Sequence, residues 1–193
     1  MHLKFFIYRI KDIITNPAKA WEAIYSENRS VKDTRNSFLL PLIILVTVSA
    51  IVGSFMFTHS QLSFIYSIFI GIKYFALLWF IIYLSAIIVN EITHTLDLGK
   101  SFPVSFKIIA YSLTPLLLCL VLNLLFESLF FINILAFYGL YIFYTGAEKM
   151  LNPPEHKKIP MLIAVSVTVI VLFIAANWIL TRIIDRIYFT FLA

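Results

Sequence analysis

The sequence predicts an all-α integral membrane protein: five transmembrane helices preceded by an amphipathic, interfacial pair of N-terminal helices. Composition is the first observation behind this reading. Of 193 residues, 61% are hydrophobic and 13% are charged, with a mean hydropathy of +0.94, against roughly 45–50% apolar and about 25% charged in a soluble domain. With only 15 Lys and Arg and 10 Asp and Glu, the chain cannot build a water-facing surface of ordinary charge density. The second observation is a set of five apolar stretches, 38–57, 62–89, 108–126, 129–147 and 161–180. Each is long enough for a hydrocarbon core that takes about 20 helical residues to cross. The third is the placement of Lys and Arg, which fixes orientation because short basic loops stay on the cytoplasmic side.

Residues 1–15 resemble a signal peptide in position only. Lys4, Arg9, Lys11 and Asp12 interrupt any apolar core, and no small-residue cleavage site follows. Leu3, Phe6, Ile7, Ile10, Ile13 and Ile14 instead recur at helical spacing, as in a helix lying flat on an anionic membrane surface. Asn16 followed by Pro17 signals a helix restart, with Asn as N-cap and Pro in the first turn. The second helix sets Trp21, Ile24 and Tyr25 along one side, and Phe6, Ile10 and Trp21 are expected to anchor the pair at the interface. The competing expectation is a self-packing or partner-binding pair. The organisation expected is thus an interfacial segment over 1–37 and a bundle over 38–193.

The second apolar stretch, 62–89, would span about 42 Å as a helix, so it must tilt or protrude. The connections at 58–61 and 127–128 are tight turns that make their flanking spans antiparallel neighbours. Twelve Lys and Arg fall in the N-terminal segment and the second and fourth loops, against two, Arg182 and Arg186, on the other side. The N-terminus is therefore expected in the cytoplasm and the C-terminus outside. A pI near 9.3, which in a soluble domain would suggest nucleic acid, is read as a consequence of this orientation.

Pro115 lies inside the third span and cannot donate to the carbonyl of Tyr111, so the helix is expected to kink there, with Thr114 and Ser112 as candidate donors to the freed carbonyl. Gly139 and Gly146 share a helix face and are expected to permit close packing. Counting about 1.5 Å per residue from each cytoplasmic boundary puts Lys73, Asn123, Asn133 and Asn177 at about 21–24 Å, with Glu127 one turn above. They form a candidate polar layer, in which Lys73 is expected to pair with Asn123 and to be compensated by Glu127. Snorkelling of Lys73 to the outer headgroups is the alternative.

No HExxH, GxSxG or phosphate-cradling glycine loop is present. Glu91, His94 and Asp97 contain one Glu-x-x-His half-motif without the second that a di-iron bundle needs. The single cysteine, Cys119, excludes an intramolecular disulfide. Neither an enzyme nor a cofactor or metal site is expected.

The order of features resembles a known family. Asn16, Pro17 and Trp21 precede a basic stretch and the first span; Leu98-Gly99-Lys100-Ser101-Phe102 and Phe106-Lys107 follow; then come Tyr111-Ser112-Leu113-Thr114-Pro115, Tyr138-Gly139-Leu140-Tyr141 and Gly146. This succession is similar to the Yip (Ypt-interacting protein) family of five-span membrane proteins over about residues 12–180. The resemblance implies a helical bundle with a cytoplasmic N-terminus and, for eukaryotic members, vesicle trafficking through Rab-type GTPases. This chain has a short N-terminal region without the Asp-Leu-Tyr-Gly-Pro motif of those members, which points to a prokaryotic relative in a bacterial inner membrane. The function expected is a non-catalytic membrane scaffold or adaptor, with a small oligomeric transporter or channel using the outer polar layer as the alternative. The partners expected are the lipid bilayer, a protein at the cytoplasmic face and further copies of the chain, and not nucleic acid.

Overall fold

The computed structural model describes residues 2–57 and 64–191. The turn expected at 58–61 lies outside them. The described residues form α1 (His2–Thr15), α2 (Pro17–Glu27), α3 (Val31–Phe57), α4 (Phe64–Thr95), α5 (Phe102–Ser112), α6 (Thr114–Leu125), a 3₁₀ helix (Glu127–Phe137), α7 (Tyr138–Leu151) and α8 (Glu155–Phe191). Five segments are long and apolar enough to cross a membrane, so the molecule is an all-α, multi-pass membrane protein in a lipid bilayer. Local chemistry explains the N-terminal boundaries. Asn16 accepts the Lys19 N–H at 3.2 Å with Pro17 in the first turn of α2, and Ser30 accepts the Asp33 N–H at 3.1 Å at the start of α3.

α3 runs between α4 and α6, while α4 is flanked by α3, α5 and α8. α1 and α2 cover the end of the bundle near Phe38 and Ile142, called the basal end here. The boundary expected at residue 37 falls within α3, because the helix initiated at Ser30 continues through one π turn, Arg35–Leu39, into the apolar run. Residues before 38 also share the core of the rest: Phe6, Ile13, Ala20, Trp21 and Ile24 lie in one cluster with Phe38, Tyr111 and Phe143.

Two spans differ from expectation. The fourth is not a single α-helix over 129–147. Its distal part is the 3₁₀ helix, with Leu129 at φ −92° and ψ 22°, and the α-helix begins only at Tyr138. The thiol of Cys119 on α6 donates to the Ile132 carbonyl at 3.3 Å within this tighter turn. The fifth does not end at 180 but continues to Phe191, a helix of 37 residues and about 55 Å. Falling hydropathy marks the edge of the bilayer, whereas the helix persists because Ile184 and Tyr188 keep the apolar spacing and are buried.

The third span breaks at Leu113, with φ −78° and ψ −2°. Below the break α5 packs on α4 and α7, and above it α6 packs on α3 and the 3₁₀ helix. One kinked span thereby serves different neighbours in the two halves of the bundle.

Candidate functional site

The basal end holds the most elaborate side-chain cluster. Trp21 is wholly buried, its Nε1–H donates to the Ile142 carbonyl at 2.9 Å, and its ring meets Tyr111 edge-on at 5.8 Å. Tyr111 in turn packs on Phe38 at 4.5 Å. Gly146 makes this possible: a Cβ there would lie 2.4 Å from Trp21 Cζ2. Phe6 is buried against Phe38 and Ile10 is half-buried against the same core. The interfacial-anchor expectation is therefore corrected for Phe6 and Trp21, which turn inward because the glycine face of α7 accepts an indole that would otherwise lie at the headgroups. The outward apolar side chains of the pair are Ile7, Tyr8 and Tyr25.

Arg9 is buried beside this cluster and pairs with Glu27, whose other oxygen accepts from Arg29 Nε at 2.8 Å. Arg29 also donates to Ser37 Oγ at 3.3 Å and stacks over Phe5 at 3.9 Å. Two guanidiniums thus share one carboxylate, an arrangement that fastens α1 and α2 to the start of α3. The Arg9 Nε and Nη1 atoms have no hydrogen-bond partner. Sequence analysis missed this group, although Arg9 lies on the same helical stripe as Phe6 and Ile13 and so was placed to face inward.

At the kink, the Thr114 hydroxyl donates to the Tyr111 carbonyl at 2.7 Å, replacing the donor that Pro115 lacks. Gly139 crosses just beyond, where a Cβ would approach the Ser112 carbonyl to 2.5 Å.

The intramembrane polar residues separate into two groups. Lys73 is buried between α4 and α8 and donates to Thr181 Oγ1 at 3.2 Å, with Asp185 close enough for charge interaction. Tyr66 OH donates to Asp185 Oδ1 at 3.2 Å. Asn123 instead donates to Asn133, joining α6 to the 3₁₀ helix. The expected Lys73–Asn123 pair does not form, because α3 stands between α4 and α6 and leaves Lys73 facing α8. Asn177 is half-buried one turn from Thr181, and the Glu127 side chain lies outside the described residues. Thr181 and Asp185 were missed because the fifth span was ended at 180. The signal was the spacing of four from Asn177 through Thr181 to Asp185.

Other charged groups are engaged at the basal surface. Glu91 pairs with Lys100 at 2.6 Å, and Lys157 faces Asp97 at 3.6 Å while donating to the Leu96 carbonyl at 2.5 Å, which caps α4. Among the described residues no three His, Cys, Asp or Glu converge on a metal-sized site.

The profile of the Yip1 domain matches residues 11–176, from α1 to deep within α8. The chain belongs to the Yip1 family. No curated protein and no solved structure matches it. The match spans Trp21, Tyr111, the kink and the Gly139 and Gly146 crossings of this Yip1-domain protein, while Phe6 and Arg9 of the basal cluster precede it.

Proposed function

We propose that this Yip1-domain protein is a non-catalytic membrane scaffold or adaptor, serving membrane organisation or trafficking by presenting a fixed cytoplasmic face to a protein partner. The observation that carries this reading is the attachment of α1 and α2 to the bundle by Trp21 and the Arg9–Glu27–Arg29 group. A helix pair held this way keeps exposed Tyr8, Glu22 and Tyr25 in one constant arrangement, which suits recognition better than chemistry. The twelve-to-two charge asymmetry supports a cytoplasmic N-terminus and an outer C-terminus. Lys73 and Asn123 are read as helix-holding groups, since they join different helix pairs rather than one continuous path.

Purification of the tagged chain in mild detergent, followed by protein identification and native mass measurement, tests this function. A protein that co-purifies in fixed ratio and is lost on Tyr25→Glu or Glu22→Arg, with the melting temperature unchanged, is the expected result. A chain that runs alone or as a self-oligomer and conducts solute in vesicles contradicts it.

A further inference from the structure

Four charged side chains are buried among the described residues, and three of them have partners. Arg9 pairs with Glu27, Lys73 donates to Thr181 near Asp185, and Lys158 pairs with Glu148 at 2.7 Å. The fourth, Lys107 on α5, is 4% exposed and takes part in no hydrogen bond or ion pair. The carboxylates of the neighbouring elements are engaged elsewhere. On α3, Asp33 accepts from Ser30 Oγ at 2.6 Å and interacts with Arg29 and Lys32. At the end of α4, Glu91 pairs with Lys100 and Asp97 faces Lys157. On α7, Glu148 serves Lys158. An ammonium taken out of water without a counter-charge is expensive, so one left in this state calls for an anion from outside the chain.

The position of Lys107 selects that anion. It immediately precedes the apolar stretch that begins at 108, and helical side chains tilt toward the N-terminus, which here is the basal direction. Its four-carbon stem reaches about 6 Å, which carries the ammonium into a headgroup layer of about 5–7 Å. Phosphate is the anion of that layer. Around the α5 axis Lys107 stands about 100° from Phe106, which meets Tyr83 of α4 at 5.1 Å, and about 40° from Tyr111, which packs on Phe38 of α3 at 4.5 Å. It therefore projects toward the seam between α3 and α4. The first turn of α3 touches α5, so the positive end of a 27-residue helix adds to the field of the ammonium. Unlike Arg9 Nε, Thr34 Oγ1 and Ser105 Oγ, which are sealed as well as unpartnered, Lys107 Nζ keeps some accessible surface.

We propose that Lys107 and the first turn of α3 form a binding site for one phosphate group, reached from the basal face. The headgroup of a basal-leaflet phospholipid and inorganic phosphate offer the same chemistry. The site is independent of any protein partner.

Thermal melting of the full chain in dodecyl maltoside, after delipidation until phosphorus analysis finds no lipid, tests the assignment. The probes are dihexanoyl phosphatidylglycerol below its micelle concentration and inorganic phosphate exchanged for chloride at constant ionic strength. The wild type should melt at a higher temperature with probe present. A shift with both probes shows that free phosphate suffices, and a shift with the lipid alone assigns the site to a headgroup. Lys107→Met should lose the shift, as should Lys107→Gln if the first variant melts early. Lys107→Arg should keep it, and so should Lys19→Gln, which removes an exposed lysine of α2. No shift of the wild type with either probe, or a shift of wild-type size in Lys107→Met or Lys107→Gln, would overturn the proposal.

Discussion

Trp21 is the largest fully buried side chain among the described residues. It combines complete burial, a hydrogen bond to Ile142 and an edge contact with Tyr111. Trp21→Ala should cost about 3–5 kcal/mol, the range for emptying an aromatic core site, and lower the melting temperature in detergent. Gly146→Val should do the same from the other side, since the new side chain would occupy the place of the indole. A melting temperature unchanged by either would show that α2 is not docked on α7. Lys73 and Thr181 provide a second test at this scale. A double-mutant cycle of Lys73→Met and Thr181→Val should give a coupling of about 0.6 kcal/mol, the average for interhelical polar pairs in membranes, and less than about 1.7. Coupling of Lys73 with Asn123 should be zero.

The third span depends on a compensation between two adjacent residues. Thr114→Val removes the hydroxyl that serves the Tyr111 carbonyl and should destabilise by about 1 kcal/mol. Adding Pro115→Ala restores a backbone N–H at the normal helical position and should recover much of that loss. A loss that persists in the double variant would mean that the carbonyl was not the cause. Deletion of residues 2–15 should leave all five spans inserted, because each satisfies its own backbone hydrogen bonds, while lowering the melting temperature through loss of Phe6 and Ile13. The spans themselves were readable from hydropathy, and the kink and its Thr114 donor from the backbone chemistry of proline. The inward turn of Trp21 was not. An amphipathic stripe has the same period whether it faces headgroups or protein, and the deciding feature, Gly146, lies far away in sequence. The partner of Lys73 was hidden for a related reason. Counting residues along each helix gives height but not the order of helices around the bundle, and α3 separates Lys73 from Asn123.

At the scale of the whole molecule, the helix pair, the kinked third span and the doubly fastened α8 make a five-span bundle with unlike ends. The basal end is dense in ion pairs, among them Arg9–Glu27, Lys100–Glu91 and Lys158–Glu148. The distal end carries the Lys73–Thr181 and Tyr66–Asp185 contacts. The proposed role requires the basal end to face the cytoplasm. Single-cysteine variants Lys32→Cys, His156→Cys and Thr190→Cys, each made with Cys119→Ala, can be labelled in sealed right-side-out vesicles with a membrane-impermeant maleimide. Labelling of the residue 190 variant alone, with 32 and 156 reacting only after permeabilisation, is the predicted result. Labelling of 32 or 156 in sealed vesicles, or protection of 190, would contradict the five-span orientation and with it the cytoplasmic face on which the adaptor role rests.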